Sequence, residues 1–106
     1  MGRYDEKRIS YAKQERLLNL FCDTICDLNN KIAIRNFLKD LLNRNERAML
    51  ARRLLIAEML SDKRSYREIS ERLRCGSATI SRVQRWLNFG RGGYQAAIRL
   101  RRDVNR

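Results

Sequence analysis

Apolar residues recur at helical intervals along most of the chain. Leu17, Leu18, Phe21, Cys22 and Ile25 form one stripe, which predicts an amphipathic helix over about residues 5–26. Ile32, Ile34, Phe37, Leu38, Leu41 and Leu42 form a wider arc over residues 30–42. That arc is broad for a surface helix and implies burial on more than one side. A third pattern runs through Met49, Leu50, Leu54, Ile56, Ala57 and Leu60. Its start is marked by Asn43-Arg44-Asn45-Glu46, a capping-box variant in which Asn43 accepts from first-turn amides and Glu46 reaches back. Asp62-Lys63-Arg64 breaks this helix, and Ser65 caps the next, with Glu68 three residues later completing a second box. Short helices are predicted over residues 66–73 and 77–88. Gly90-Arg91-Gly92-Gly93 then ends the run. A basic helix over residues 94–102 closes the chain, with its last residues expected to fray.

Composition agrees with this reading. The 106 residues include no Pro and five Gly, and β-branched runs are absent, so an all-α fold of about six helices in a single domain, 1–106, is expected. A chain this short buries a modest fraction of its surface, and oligomerisation would help it. No window approaches the roughly 18 apolar residues of a membrane span, and no charged-then-apolar N-terminal signal appears, so a cytoplasmic location is expected. Cys22, Cys26 and Cys75 are then reduced thiols. Cys22 and Cys26 share a helix face, where a metal half-site competes with core packing. The chain has no His, which favours packing and no metal or cofactor.

The densest information lies between Arg67 and Val83. Ile69 and Leu73 precede, and Ile80 and Val83 follow, a small break at Cys75-Gly76-Ser77. Two short crossed helices that touch through those four residues make a helix-turn-helix, over residues 65–88. The charge fits a polyanionic partner. The net charge is +12, from 24 basic and 12 acidic residues. Residues 63–106 hold 12 basic and 3 acidic side chains, against 12 and 9 in residues 1–62. Basic charge gathered around such a motif is the footprint of phosphate binding, with a merely solvated basic surface as the plainer reading.

At 100° per residue, Ile80, Val83 and Leu87 of the second helix fall on one face, and Ala78, Ser81, Arg82 and Arg85 fall on the opposite one. The second face combines small side chains, which admit a backbone into the major groove, with donors for base edges and phosphates. Arg82 and Arg85 suit guanine or phosphate, Ala78 a thymine methyl, and Ser77, Thr79 and Ser81 phosphate or bases. The helix N-terminus itself favours phosphate. Arg67 opens the preceding helix near the groove. Trp86 projects to the flank and reads as a core or interface residue rather than a stacking platform.

These residues resemble the Trp repressor superfamily. The resemblance runs from Asn43-Arg44-Asn45-Glu46-Arg47 through Arg53, Ile56 and Glu58 to Arg67-Glu68 and Ala78-Thr79-Ile80-Ser81-Arg82. Leu87-Asn88-Phe89-Gly90-Arg91-Gly92-Gly93-Tyr94 points more narrowly to the YerC/YecD-like Trp repressor-like group. The likeness spans about residues 38–98, and residues 1–37 match only as a helical pattern. It implies an intertwined homodimer with a helical dimerisation core over residues 5–62, one helix-turn-helix per subunit and a C-terminal basic helix over residues 92–106. Two recognition helices then lie about one DNA turn apart, roughly 34 Å, over a pseudo-palindrome. The resemblance also implies a direct base contact for Arg67, base-facing positions largely bridged by water for Ser77, Ala78 and Ser81, and phosphate contacts for Thr79 and Arg53. Arg53 and Arg82 match the arginines that flank the tryptophan corepressor of the family's namesake. Two departures stand there. Val83 replaces a glycine that leaves space for the indole, and Trp86 replaces a ligand-contacting serine. A pocket filled by the protein's own side chains, without tryptophan as corepressor, is therefore expected. Arg74 occupies a turn site where many such motifs place Gly for a left-handed backbone.

The resulting expectation is a sequence-specific regulator of transcription that binds double-stranded DNA, with the sign of a repressor inherited from the family. A nonspecific nucleic-acid binder, architectural or RNA-binding, is the alternative, served by Arg91, Arg99, Arg101, Arg102 and Arg106. A third reading is an interaction domain, such as the DNA-reading part of a replication factor. An enzyme is not expected. The chain has no His, no Gly-rich phosphate loop and no Ser or Cys with a base partner. Cys75 in the turn reads as a packing residue rather than a redox sensor.

Overall fold

The structure, a computed structural model, describes residues 9–104. Six helices and no strand occur among the described residues: α1 (Tyr11–Leu28), α2 (Lys31–Leu41), α3 (Arg44–Ser61), α4 (Tyr66–Leu73), α5 (Ser77–Phe89) and α6 (Gly93–Val104). None is long and apolar enough to cross a membrane.

Local chemistry accounts for the boundaries. α1 starts at Tyr11, six residues later than the apolar stripe suggests, because Ser10 accepts from the Lys13 amide at 3.2 Å and caps the helix there. Residues 5–8 of that expectation lie outside the described residues. α1 ends where Asn29 turns left-handed at φ 54°, two residues beyond the predicted end. Asn30 caps α2 through the Ala33 amide at 2.8 Å. The capping box of α3 is complete. Asn43 accepts from the Glu46 amide, and the Glu46 carboxylate accepts from the Asn43 amide, both at 2.9 Å. α3 closes at Asp62, and Lys63 follows at φ 65°.

The chain divides into two compact units, one ending at Leu42 and the other beginning at Asn43. In the first, α1 packs against α2. Phe21 and Phe37 meet with ring centroids 5.9 Å apart and planes tilted by 41°. Neither helix has a buried residue, and Ile32 is 72% exposed. Cys22 and Cys26, expected to pack in a core, are exposed on α1.

The second unit is built around α3, which packs against α4, α5 and α6, while α5 also packs against α4 and α6. Its core is Ile56, Ala57, Leu60, Ile69, Ile80, Val83, Leu87 and Ile98, with Leu54, Met59, Leu73, Cys75 and Tyr94 packed around it. The apolar pattern of α3 is satisfied only in its second half, since Met49 and Leu50 remain about half exposed. α6 continues to Val104, through the stretch expected to fray. Its last turns are tied to α3 by ion pairs from Arg101 to Glu58 and from Arg102 to Asp62.

Candidate nucleic-acid interface

The candidate interface is α4, a three-residue turn and α5. Ser65 caps α4 by accepting from the Glu68 amide at 3.1 Å. The second capping box is only half made, because the Glu68 carboxylate accepts instead from Arg64 at 2.9 Å. α4 ends at Arg74, whose φ of 52° and ψ of 54° are left-handed. The Ser70 hydroxyl then donates to the Cys75 carbonyl at 2.7 Å and ties α4 to the turn. Gly76 is the N-cap of α5 at φ −82° and ψ 161°, a conformation open to any residue, with no atom near the site of a Cβ. The glycine of the turn is therefore not the left-handed residue; Arg74 is. A left-handed L-residue costs on the order of 1–2 kcal/mol. Arg74→Gly is accordingly expected to stabilise the protein by about 1 kcal/mol in urea denaturation. An unchanged midpoint would mean that contacts of the arginine offset its backbone strain.

α5 carries no side-chain cap, unlike α1 to α4. Its first-turn amides thus have no side-chain acceptor and point toward the approach to the helix. The two faces of α5 separate as its periodicity requires. Ile80, Val83 and Leu87 are buried, while Ser77, Ala78, Ser81, Arg82 and Arg85 are exposed and Thr79 is half-buried. Arg67 projects from α4 with its side chain 89% exposed, and its Nε donates to Glu71 at 3.2 Å. Phe89, at the last turn of α5, is 79% exposed.

Arg53, Arg82, Val83 and Trp86 come together, but they line a space rather than fill it. A cleft of about 490 Å³ lies between α3, the turn and α5, bounded also by Met49, Arg52, Arg74, Cys75, Gly76, Thr79 and Tyr94. Val83 is turned into the core and Trp86 stands half exposed at the cleft, so neither side chain closes it. Trp86 is not a core residue of the chain. Arg52 and Arg74 join the cleft from outside the sequence-derived pocket. The signal for Arg52 was weak, because on a helix it is one of two adjacent arginines and only the packing of α3 decides which way each turns.

The basic C-terminus is partly neutralised. Arg101 and Arg102 hold Glu58 and Asp62, so they are engaged in binding α6 to α3. Arg91 and Arg99 are exposed, and Arg106 lies outside the described residues. No group of His, Cys, Asp and Glu able to hold a metal ion occurs among the described residues.

Comparison with known proteins agrees with this architecture. The family model described as Trp repressor protein matches residues 16–102. The uncharacterized protein YerC of Bacillus subtilis (strain 168) is 35% identical over 91 residues, covering 86% of each chain. The crystal structure of a candidate Trp repressor from Staphylococcus aureus superposes with a TM-score of 0.75 at 30% identity, covering 95% of this chain and 96% of that one. A TrpR-like protein from Eubacterium eligens ATCC 27750 gives a TM-score of 0.71 at 33% identity, covering 90% and 93%. With the match covering α2 to α5 whole and most of α1 and α6, the chain belongs to the Trp repressor family, a family of DNA-binding regulators.

Proposed function

We propose that the chain is a sequence-specific, double-stranded DNA-binding transcriptional regulator, a repressor, which reads a pseudo-palindromic operator as a homodimer. The observation that carries this reading is the two-faced α5. One face is locked into the core by Ile80, Val83 and Leu87. The other presents Ser77, Ala78, Ser81, Arg82 and Arg85 to solvent as a narrow, basic, donor-bearing ridge. The uncapped start of α5 and the exposed Arg67 extend the same surface. Arg53 and Thr79 are the phosphate contacts in this reading. The helix-turn-helix occupies residues 65–88, the dimerisation core residues 5–62 and the basic helix residues 92–106. The protein acts in the cytoplasm, bound to DNA.

Dimerisation is supported by what single chains leave uncovered. α1 and α2 expose Leu17, Leu18, Leu20 and Ile32, the first half of α3 exposes Met49 and Leu50, and exposed apolar patches mark protein–protein interaction sites. Regulation without tryptophan is part of this reading: Val83 and Trp86 stand where the family's namesake has a glycine and a ligand-contacting serine, so the cleft they line is not the one that receives the indole there. Calorimetry with free tryptophan is expected to show no binding, and micromolar affinity would refute this part.

Selection of the purified protein against a random duplex library at about physiological salt, with no ligand added, tests the reading directly. Enrichment of a pseudo-palindrome with half-sites about one helical turn apart is expected. Binding that enriches no sequence and fades as salt rises would instead establish the nonspecific nucleic-acid binder. The pairing of Arg101 and Arg102 with acidic partners weighs against that alternative. On the selected operator, Arg67→Ala should cost about 1–3 kcal/mol and relax preference at one base pair. An equal loss on every sequence would make Arg67 a phosphate contact only.

A further inference from the structure

Four arginines, Arg52, Arg53, Arg74 and Arg82, line the cleft between α3 and α5. No carboxylate lines it. Among the described residues none of the four is engaged in an ion pair or a side-chain hydrogen bond, whereas Arg64, Arg67, Arg101 and Arg102 each hold an acidic side chain. Four cations gathered around one concavity without a counter-charge repel one another, and a bound polyanion removes that repulsion. The remaining lining is not what a bare phosphate needs. Trp86 offers a half-exposed indole, and Tyr94, Val83 and Cys75 add apolar wall. At about 490 Å³ the cleft falls in the range of roughly 300–1,000 Å³ typical of small-molecule sites, far more than a single phosphate fills. An amino acid brings a single carboxylate, which offsets less of the repulsion among four cations than a polyanion does.

We propose that this cleft binds a nucleoside polyphosphate, with the phosphates among the four guanidiniums and the base stacked on Trp86. Aromatic side chains accept any base on their π-face, so the argument fixes the class of ligand and not the base. A regulatory consequence rests on the DNA-binding reading above. Arg53, Thr79 and Arg82 belong both to the cleft and to the proposed phosphate-facing surface, so a bound polyanion places negative charge where operator phosphates approach. The ligand therefore weakens operator binding. Ligand binding itself is independent of that reading and is tested without DNA.

Trp86 is the chain's one tryptophan and lies in the cleft, so its emission reports occupancy. The full chain is titrated at about physiological salt with ATP, with AMP and with inorganic tripolyphosphate, and the affinities are repeated by calorimetry. ATP is expected to shift Trp86 emission saturably, with AMP and tripolyphosphate each weaker by about tenfold or more, for want of charge and of base respectively. Arg52→Ala combined with Arg74→Gly should weaken ATP by about tenfold or more with the circular dichroism unchanged. Trp86→Leu, followed by calorimetry, should weaken ATP while leaving tripolyphosphate as it was. Flat titrations into the millimolar range would overturn the proposal, as would tripolyphosphate binding as tightly as ATP. So would a nonoperator duplex that alone perturbs Trp86 and loses affinity in the double variant, which would make the cleft a cradle for the DNA backbone. Since library selection judges the operator-binding reading separately, the two can fail independently.

Discussion

Ile80→Ala is expected to cost about 2–5 kcal/mol of folding stability, the range for truncating a buried aliphatic side chain to a methyl. Ile80 is fully buried in α5 and belongs to the same core as Ile56 and Ile69, which are also fully buried. α5 packs on α3, α4 and α6 at once, so there is no free side toward which the helix can settle to close the cavity. Small domains hold about 5–15 kcal/mol in all, so the variant sits near its folding limit and melts far below the parent. The neighbouring residue supplies the contrast. Ser81 is exposed on the opposite face, and Ser81→Ala should leave stability within about 0.5 kcal/mol while reducing operator affinity. Urea denaturation and DNA titration of the two variants separate the roles of the two faces. Equal stability losses for both would show that α5 is rotated from the register described here.

Gly90→Ala should also be severely destabilising, for a steric reason. Gly90 closes α5 by donating its amide to the Trp86 carbonyl at 2.9 Å. A Cβ at that position would lie 2.3 Å from the same carbonyl oxygen and 3.3 Å from its carbon. Both obstacles are backbone, so no rotamer change relieves them. Either the closing hydrogen bond breaks or the α5–α6 junction shifts, and a cost of about 1–3 kcal/mol follows. Ser should be as harmful as Ala, because the clash is made by Cβ alone. Gly93 begins α6 with nothing within 4 Å of its would-be Cβ. Gly93→Ala should therefore be neutral or stabilising, by up to about 1 kcal/mol. If Gly90→Ala melted with Gly93→Ala, the tight closure at Gly90 would be disproved.

Much of this arrangement is legible in the chain because its signals are local. Asn43 and Glu46 mark the start of α3, Ser65 that of α4, and Gly90 the end of α5, and each acts through a hydrogen bond or clash within four residues. The division of α5 into buried and exposed faces follows from 3.6 residues per turn and nothing else. What escaped depends on distant partners. Glu58 and Arg101 are 43 residues apart, and only the packing of α6 on α3 brings them together. Met49, Leu50, Cys22 and Cys26 carry a core-like pattern yet are exposed, because periodicity reports that a face is apolar and not what covers it. The start of α1 is inconspicuous in the sequence since Ser10 lacks the acidic partner three residues on that marks the cap of α3; that place is held by Lys13. Side-chain volume alone predicts a filled pocket, because it does not say that Val83 turns inward.

The way α3 serves three later helices has a bearing on protein engineering. The segment from Ser65 to Phe89 owns only half of the core that holds it; the rest comes from Ile56, Ala57 and Leu60 before it and Ile98 after it. It is not a cassette that can be cut out and grafted onto another scaffold with its binding surface intact. The core that holds it extends from α3, which opens at the capping box of Asn43, through α6, whose Arg101 and Arg102 fasten it to the C-terminal end of α3. Under the proposed DNA-reading function, specificity is better exchanged by rewriting Ser77, Ala78, Ser81 and Arg85 in place, since those side chains are exposed and lie outside the core.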